Sequence, residues 1–239
     1  MTLLQSGLAK SLAEDYTIDQ SLRFTRADQS YLERTGGTPT DGKKLTASVW
    51  VKGPSTVGGG VMLEARSTDW DWWGIDAGVS QGTPEMRCYL YGAQSRADGA
   101  DVKSYPFYRD PSAWYHYMLV IDTTLAEADD RIKFYVNGDA VSTNVIQSVD
   151  QNEVTPAFNE SGTVQSVQDN DNGAAIDYLA EYHFIDGQAL TPSDFGETST
   201  TTNQWIPIEY TGTYGNNGWY QKYASTTLAN SFTDSSGGY

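Results

Sequence analysis

The alternation of apolar and polar positions is cleanest at residues 131–136. There Ile132, Phe134 and Val136 share one face of an extended chain, and Arg131, Lys133 and Tyr135 share the other. A period of two predicts a strand with one face in a core and one in water. Asn137-Gly138 follows at once. Both residue types tolerate positive φ, so the pair predicts a two-residue type I′ turn and a short return strand over residues 139–142. Residues 114–121 (W-Y-H-Y-M-L-V-I) are apolar on both faces, which predicts a central strand covered on both sides.

Further strands follow from the same patterning. Residues 45–52 place Leu45, Ala47, Val49 and Val51 on one side. Shorter strands are expected at residues 21–25, 30–34, 61–66, 85–91 and 176–185, with one more near 163–167 in a long polar stretch. Gly36-Gly37, Gly53-Pro54 and Gly58-Gly59-Gly60 mark breaks. Thr191 followed by Pro192 predicts a one-turn helix with Thr191 as its N-cap. Residues 197–203 read as polar linker. The pattern gives a weakly structured N-terminal arm over residues 1–20, with a short helix at 8–14. It gives one large domain over 21–223 and a polar C-terminal tail over 224–239, expected to hang loose. No long window carries apolar residues at helical spacing, so the fold class expected is all-β.

Composition sharpens this picture. The 239 residues are 13% aromatic and carry a formal net charge of -16. Such an acidic balance excludes nucleic acid as a natural partner, because phosphate contacts need a surplus of Lys and Arg. No stretch is apolar for long enough to span a membrane as a helix. The start lacks the order of a secretory signal. Cys88 is the single cysteine, which rules out an internal disulfide and a cysteine-built zinc site. It is read as a small buried hydrophobe.

Candidate chemistry is concentrated in few places. Residues 68–78 (T-D-W-D-W-W-G-I-D-A-G) hold Trp70, Trp72 and Trp73 beside Asp71 and Asp76. Flat aromatic faces stack on sugar rings while carboxylates accept hydroxyl hydrogen bonds, so this stretch is the candidate glycan- or partner-binding site. Tryptophan packed at a sheet edge or interface is the competing reading. The run at Asp169, Asn170 and Asp171 is a candidate Ca2+ site, since hard cations take clustered oxygen ligands. It lacks the EF-hand spacing, and a solvated loop is the plainer reading. Leu3, Leu4 and Leu8 in the arm are candidates for attachment to another subunit. No H-E-x-x-H, G-x-S-x-G or phosphate-cradling glycine loop is present, and no pair of carboxylates stands out for glycoside hydrolysis. The chain is therefore expected not to be an enzyme.

An ordered series of motifs adds a resemblance. Ser21-Leu22-Arg23-Phe24 precedes Ser48-Val49-Trp50-Val51-Lys52. Arg109-Asp110-Pro111-Ser112-Ala113-Trp114-Tyr115-His116 precedes Phe134-Tyr135-Val136-Asn137-Gly138. His183-Phe184-Ile185-Asp186-Gly187-Gln188-Ala189-Leu190-Thr191-Pro192 and then Trp205-Ile206-Pro207 close the series. Together they resemble laminin-G-like, concanavalin-A-like jelly-roll proteins of tailed bacteriophages. The resemblance implies a two-sheet antiparallel jelly-roll sandwich of the concanavalin-A-like lectin/glucanase type. It implies a non-enzymatic protein at the virion surface, made in the bacterial cytoplasm and partnered by other phage virion proteins. A capsid decoration or cement protein is the leading form. The alternatives are a tail-associated adhesin for host surface polysaccharide and, third, a glycan hydrolase. A homo-oligomer is expected. The E-x-D-x-x-E strand of that superfamily's glycanases is absent, and Glu181-Tyr182-His183-Phe184-Ile185-Asp186 does not replace it.

Overall fold

The computed structural model of the protein describes residues 16–24, 31–53, 59–66, 72–80, 83–91, 100–104, 110, 112–155, 161–168, 178–225, 227 and 232–237. At 59–61, 66, 72–80, 83–85 and 90–91 it describes the backbone alone. Among the described residues, sixteen strands carry the fold: β1 (Leu22–Arg23), β2 (Leu32–Thr35), β3 (Lys44–Lys52), β4 (Gly59–Arg66), β5 (Trp72–Ser80), β6 (Thr83–Tyr91), β7 (Asp101–Ser104), β8 (Trp114–Asp122), β9 (Ile132–Val136), β10 (Asp139–Ala140), β11 (Thr143–Gln147), β12 (Val164–Val167), β13 (Tyr178–Asp186), β14 (Gly196–Thr198), β15 (Trp205–Pro207) and β16 (Trp219–Gln221). The first sheet runs β1-β13-β3-β8-β9-β10, with β16 also paired to β13, and the second runs β11-β7-β6-β5-β4-β12-β2. Every pairing is antiparallel. The all-β class expected from the patterning, and the two-sheet antiparallel sandwich that the resemblance implies, are the fold observed.

The inner faces of both sheets share one core. Leu45, Ala47, Val49 and Val51 of β3 lie in it with Tyr117, Leu119 and Ile121 of β8 and Ile132, Phe134 and Val136 of β9. Met62, Ala65, Met86, Cys88, Val102 and Val167 contribute from the second sheet. The hairpin at the end of β9 forms as its residues dictate, with Asn137 at φ 48° and Gly138 at φ 85° and Asp139 paired to Val136. Arg131 departs from the alternation. It lies just before β9, is buried, and donates hydrogen bonds to the carbonyls of Leu125, Ala126 and Val149. A guanidinium fork satisfies three loop carbonyls at once, so it closes the 123–130 loop where a solvent-facing side chain was expected.

In the tryptophan-rich stretch, to which the pattern assigned no element, Trp72 and Trp73 begin β5, between β4 and β6 in the second sheet. Two further expectations are corrected. Residues 197–203 are not plain linker, because β14 and β15 form a hairpin there, with Glu197 opposite Ile206. The C-terminal tail does not hang free at residues 232–236. Ser235 N–H donates to Tyr220 O at 2.8 Å, and Tyr220 N–H donates to the Asp234 carboxylate at 3.0 Å. This strap caps the outward-facing backbone groups of Tyr220, which an edge strand would otherwise leave bare.

One irregularity shapes the outer face of the first sheet. Opposite β3, strand β13 shifts register between Ala180 and His183, and Glu181 sits at φ 47°. This is a β-bulge with one extra residue. It lets Leu179 and Tyr182, three positions apart, both enter the core. It also turns Glu181 and His183 together onto the outer face.

Candidate functional site

Two regions gather chemistry, and strand β16 stands between them. Its alternation sends Trp219 and Gln221 to one side and Tyr220 to the other.

The first region is the open flank of the sandwich. β2 is the edge of the second sheet and β16 lies at the corresponding edge of the first. Between them runs a cleft of about 680 Å³, a size typical of ligand pockets. Its floor is apolar, with Leu32, Leu63, Val167 and Trp219. Two aromatic side chains stand at its lips, Tyr31 at 42% exposure and Phe232 at 37%. Trp219 is locked in place by donating from Nε1 to Gln165 Oε1 at 3.1 Å. Arg34 crosses from β2 to the first sheet and donates to Asn217 O at 3.1 Å. Gln221 donates from Nε2 to Phe232 O, while its buried Oε1 accepts no hydrogen bond within the described protein. A buried acceptor without a donor is costly unless water or a ligand supplies one. Two carboxylates line the cleft, Glu33 and Asp234. Asp234 is already engaged, accepting from the backbone N–H groups of Tyr220 and Ser236.

The second region is the outer face of the first sheet, and here the chain covers itself. Residues 187–216 cross the face. Thr46 Oγ1 donates to Gln188 O and accepts from Leu190 N–H. Phe195, Leu190, Tyr210 and Tyr214 pack on Met118, Val120 and Ile185. A 3₁₀ turn at Pro192–Asp194 directs this crossing. Thr191 stands at the N-cap position expected of it, and Asp194 accepts from both its N–H and its hydroxyl at 2.8 Å. Trp205 lies against Gly138 and Gly196, where an added Cβ would come within 2.5 Å of its ring at either position.

Under this cover lie the two histidines. His116 is fully buried. Trp205 Nε1–H donates to its Nδ1 at 3.1 Å, which leaves Nε2 as the protonated nitrogen, 2.8 Å from Ser48 Oγ. Burial, with His183 as a second cause, holds its pKa down at about 3, so the ring is neutral. His183 is stacked at 4.2 Å on Tyr220 and shares a 2.8 Å hydrogen bond from Nδ1 with the Tyr214 hydroxyl. Its Nε2 lies 3.8 Å from Glu181 Oε2, beyond hydrogen-bonding distance. Burial lowers the His183 pKa against the opposing pull of Glu181. Glu181 Oε2 accepts from the hydroxyls of Tyr16, at 2.6 Å, and Tyr220. Burial works to raise the Glu181 pKa, but His183 and these two hydroxyls hold it below the ordinary range. Burial and the carboxylate together push the Tyr16 and Tyr220 hydroxyls upward. The carboxylate is charged and the hydroxyls are protonated donors, an arrangement that ties residue 16 to the sheet.

Trp70, Asp71, Asp169, Asn170, Asp171, Leu3, Leu4 and Leu8 lie outside the described residues. Trp72, Trp73 and Asp76 are placed by backbone alone, with Trp73 opposite Ala65 and Leu90, and Asp76 opposite Val61 and Arg87. Among the described residues no three His, Cys, Asp or Glu side chains are grouped to hold a metal ion, and no helix is long and apolar enough to cross a membrane. Sequence reasoning passed over Tyr31, Phe232 and Gln221, which come together only across the fold. It also passed over Tyr16, and weighed Glu181 only as a carboxylate of a glycanase-type strand. The one available signal was that Leu179 and Tyr182 cannot share a face without a bulge.

Comparison with known proteins agrees with this architecture. The concanavalin A-like lectin/glucanases superfamily matches residues 26–194, well over half of the chain, and the chain belongs to that superfamily. No curated protein matches it. Solved structures similar to it include a native heptameric SAP-like pentraxin from Limulus polyphemus, at 17% identity and a TM-score of 0.46, covering 74% of this chain and 76% of the pentraxin. Mouse laminin α1 chain domains LG4-5 align at 11% identity and a TM-score of 0.47, covering 82% of this chain and 45% of the laminin chain. Tailspike protein 2 of the Escherichia coli O157:H7 bacteriophage CAB120 aligns at 12% identity and a TM-score of 0.48, covering 73% of this chain and 23% of the tailspike.

Proposed function

We propose that this concanavalin A-like chain is a non-enzymatic binding module for surface glycan, with the open-flank cleft as its binding site. The observation that carries the reading is the cleft itself. Two exposed aromatic lips, Tyr31 and Phe232, stand over an apolar floor, and Arg34, Glu33 and the unpartnered Gln221 Oε1 supply a few polar groups. A ligand with apolar ring faces and polar edges suits such a site, and a glycan has both. Binding without turnover is favoured by the engagement of Asp234. Hydrolysis by paired carboxyls needs both free to act across the scissile bond, and this one is held as a backbone cap.

The setting we propose is the surface of a tailed-phage virion, on the strength of the motif series from Ser21 to Pro207. A decoration protein and a host-binding adhesin differ in number. Quantitative mass spectrometry of purified virions will find hundreds of copies per particle for the first and a handful for the second. Absence of the chain from virions would remove the setting while leaving the binding reading intact. For binding, the full chain titrated with capsular or lipopolysaccharide O-chain from the host will saturate and release no new reducing ends. Release of reducing ends would replace the module with an enzyme.

A further inference from the structure

On the opposite side of β16 from the cleft lies a smaller cavity of about 200 Å³. Three separate parts of the chain wall it: Tyr16, the loop at residues 209–214, and the strap at Ser235 and Ser236. His183 and Tyr220 form its base. We infer that this cavity is a second binding site, which takes one neutral, hydroxyl-rich ring of monosaccharide size.

Size sets the first limit. The cavity falls below the several hundred Å³ of pockets that hold drug-sized ligands, so a single ring fits and a chain of rings does not. The walls set the shape. His183 and Tyr220 stack at 12° between planes, and Tyr214 stacks with Tyr220 at 11°, so three near-parallel rings stand at one side. Those rings are fixed before any ligand arrives. Glu181 holds the Tyr220 hydroxyl, and His183 Nδ1 holds that of Tyr214. A preorganised wall gives up little freedom on binding, which favours affinity.

Charge selects the class. Lys222 and Glu209, an ammonium and a carboxylate, both line the cavity, as do the hydroxyl-bearing residues Thr211, Ser235 and Ser236. A bare anion would meet Glu209, and a bare cation would meet Lys222. A polyol both donates and accepts, and so uses the two together. Lys222 Nζ also lies 5.6 Å from the centre of the Tyr16 ring, while the wall formed by residue 16 is held by the Tyr16 hydroxyl donating to Glu181. The site is independent of the edge cleft, since Trp219 and Gln221 face the cleft while Tyr220 and Lys222 face the cavity.

The test is calorimetric titration of the full chain with the methyl glycosides of glucose, galactose and mannose, with N-acetylglucosamine, and with glucuronate and glucosamine as charged probes. The imidazole resonances of His183 are followed in parallel. At least one neutral sugar will bind saturably and shift the His183 signals. Lys222→Ala and Glu209→Ala will each weaken that sugar about ten-fold, as loss of one charged hydrogen bond does, with thermal midpoints unchanged. Tyr31→Ala will leave this binding as it is, which separates the cavity from the cleft. No neutral sugar shifting His183, a charged probe binding more tightly, or full affinity in the Lys222→Ala and Glu209→Ala double variant would each overturn the inference.

Discussion

The open flank and the covered face of the first sheet are made of the same materials, and they differ in how much of each the chain leaves uncovered: a cleft of about 680 Å³ on the flank and a cavity of about 200 Å³ on the face. Each combines aromatic rings, amides, hydroxyls and carboxylates. On the covered face these groups are paired with one another. His116 is closed by Ser48 and Trp205, and Glu181 by Tyr16 and Tyr220. On the flank, Tyr31 and Phe232 are exposed and Gln221 Oε1 has no donor among the described residues. An aromatic and polar composition therefore does not mark a site. What marks it is how much room the chain's own cover leaves: residues 187–216 close the face down to the small cavity at His183 and Tyr220, while the strap at 232–236 stops at the rim of the wider cleft.

The sharpest way to break this contrast is to remove the cover. Trp205→Ala takes away a large ring and leaves His116 Nδ1 without its donor. It is expected to cost about 3 kcal/mol in urea unfolding, the scale of a truncated core aromatic. A cost under half of that would mean that the covering segment is loosely held.

Acid tests the same closure. His116 titrates near 6.5 when unfolded and near 3 when folded. Between those values the unfolded chain binds the extra proton, so stability falls as pH drops, by at most about 1.4 kcal/mol per pH unit for one such group. His183, whose folded pKa is also lowered by burial, adds to the loss. Glu181, held below its ordinary 4.5, contributes stability above that value which disappears as pH falls through its folded pKa. Unfolding midpoints taken from pH 7 to pH 4 should decline throughout. A flat profile would show the histidines to be accessible.

Tyr16→Phe sharpens the comparison on a smaller scale. It removes one hydroxyl from the Glu181 carboxylate and is expected to cost about 1 kcal/mol. It should also raise amide exchange at residues 16–20 while leaving the cleft unchanged. Smallest of all should be the stability effect of Tyr31→Ala, within about 0.5 kcal/mol because the side chain lies at the surface.

Much of the sandwich was legible in the residues. The hairpin at Asn137-Gly138, the faces of β3 and β9 and the doubly covered β8 follow from period and turn chemistry, because each is set by neighbours in sequence. β14 and β15 were not legible. Each has three residues, and their pairing is held by Trp205 fitting against Gly138 and Gly196, a contact spanning distant parts of the chain. The bulge at Glu181 hid the outer-face cluster, since one extra residue reverses the faces of everything after it. The cleft was invisible for a simpler reason. Its residues come from four stretches, around 31–35, 63, 165–167 and 219–234, and no local pattern joins them. The tryptophan stretch at 70–73 attracted attention by composition, whereas burial and exposure are properties of the fold.

The most direct measurement is calorimetric binding of host surface polysaccharide to the wild-type chain and to the Tyr31→Ala and Phe232→Ala double variant. Binding at the open flank predicts saturable affinity for the wild type and its loss in a double variant with an unchanged melting temperature. Equal affinity in the two proteins, or none in the wild type, would contradict it.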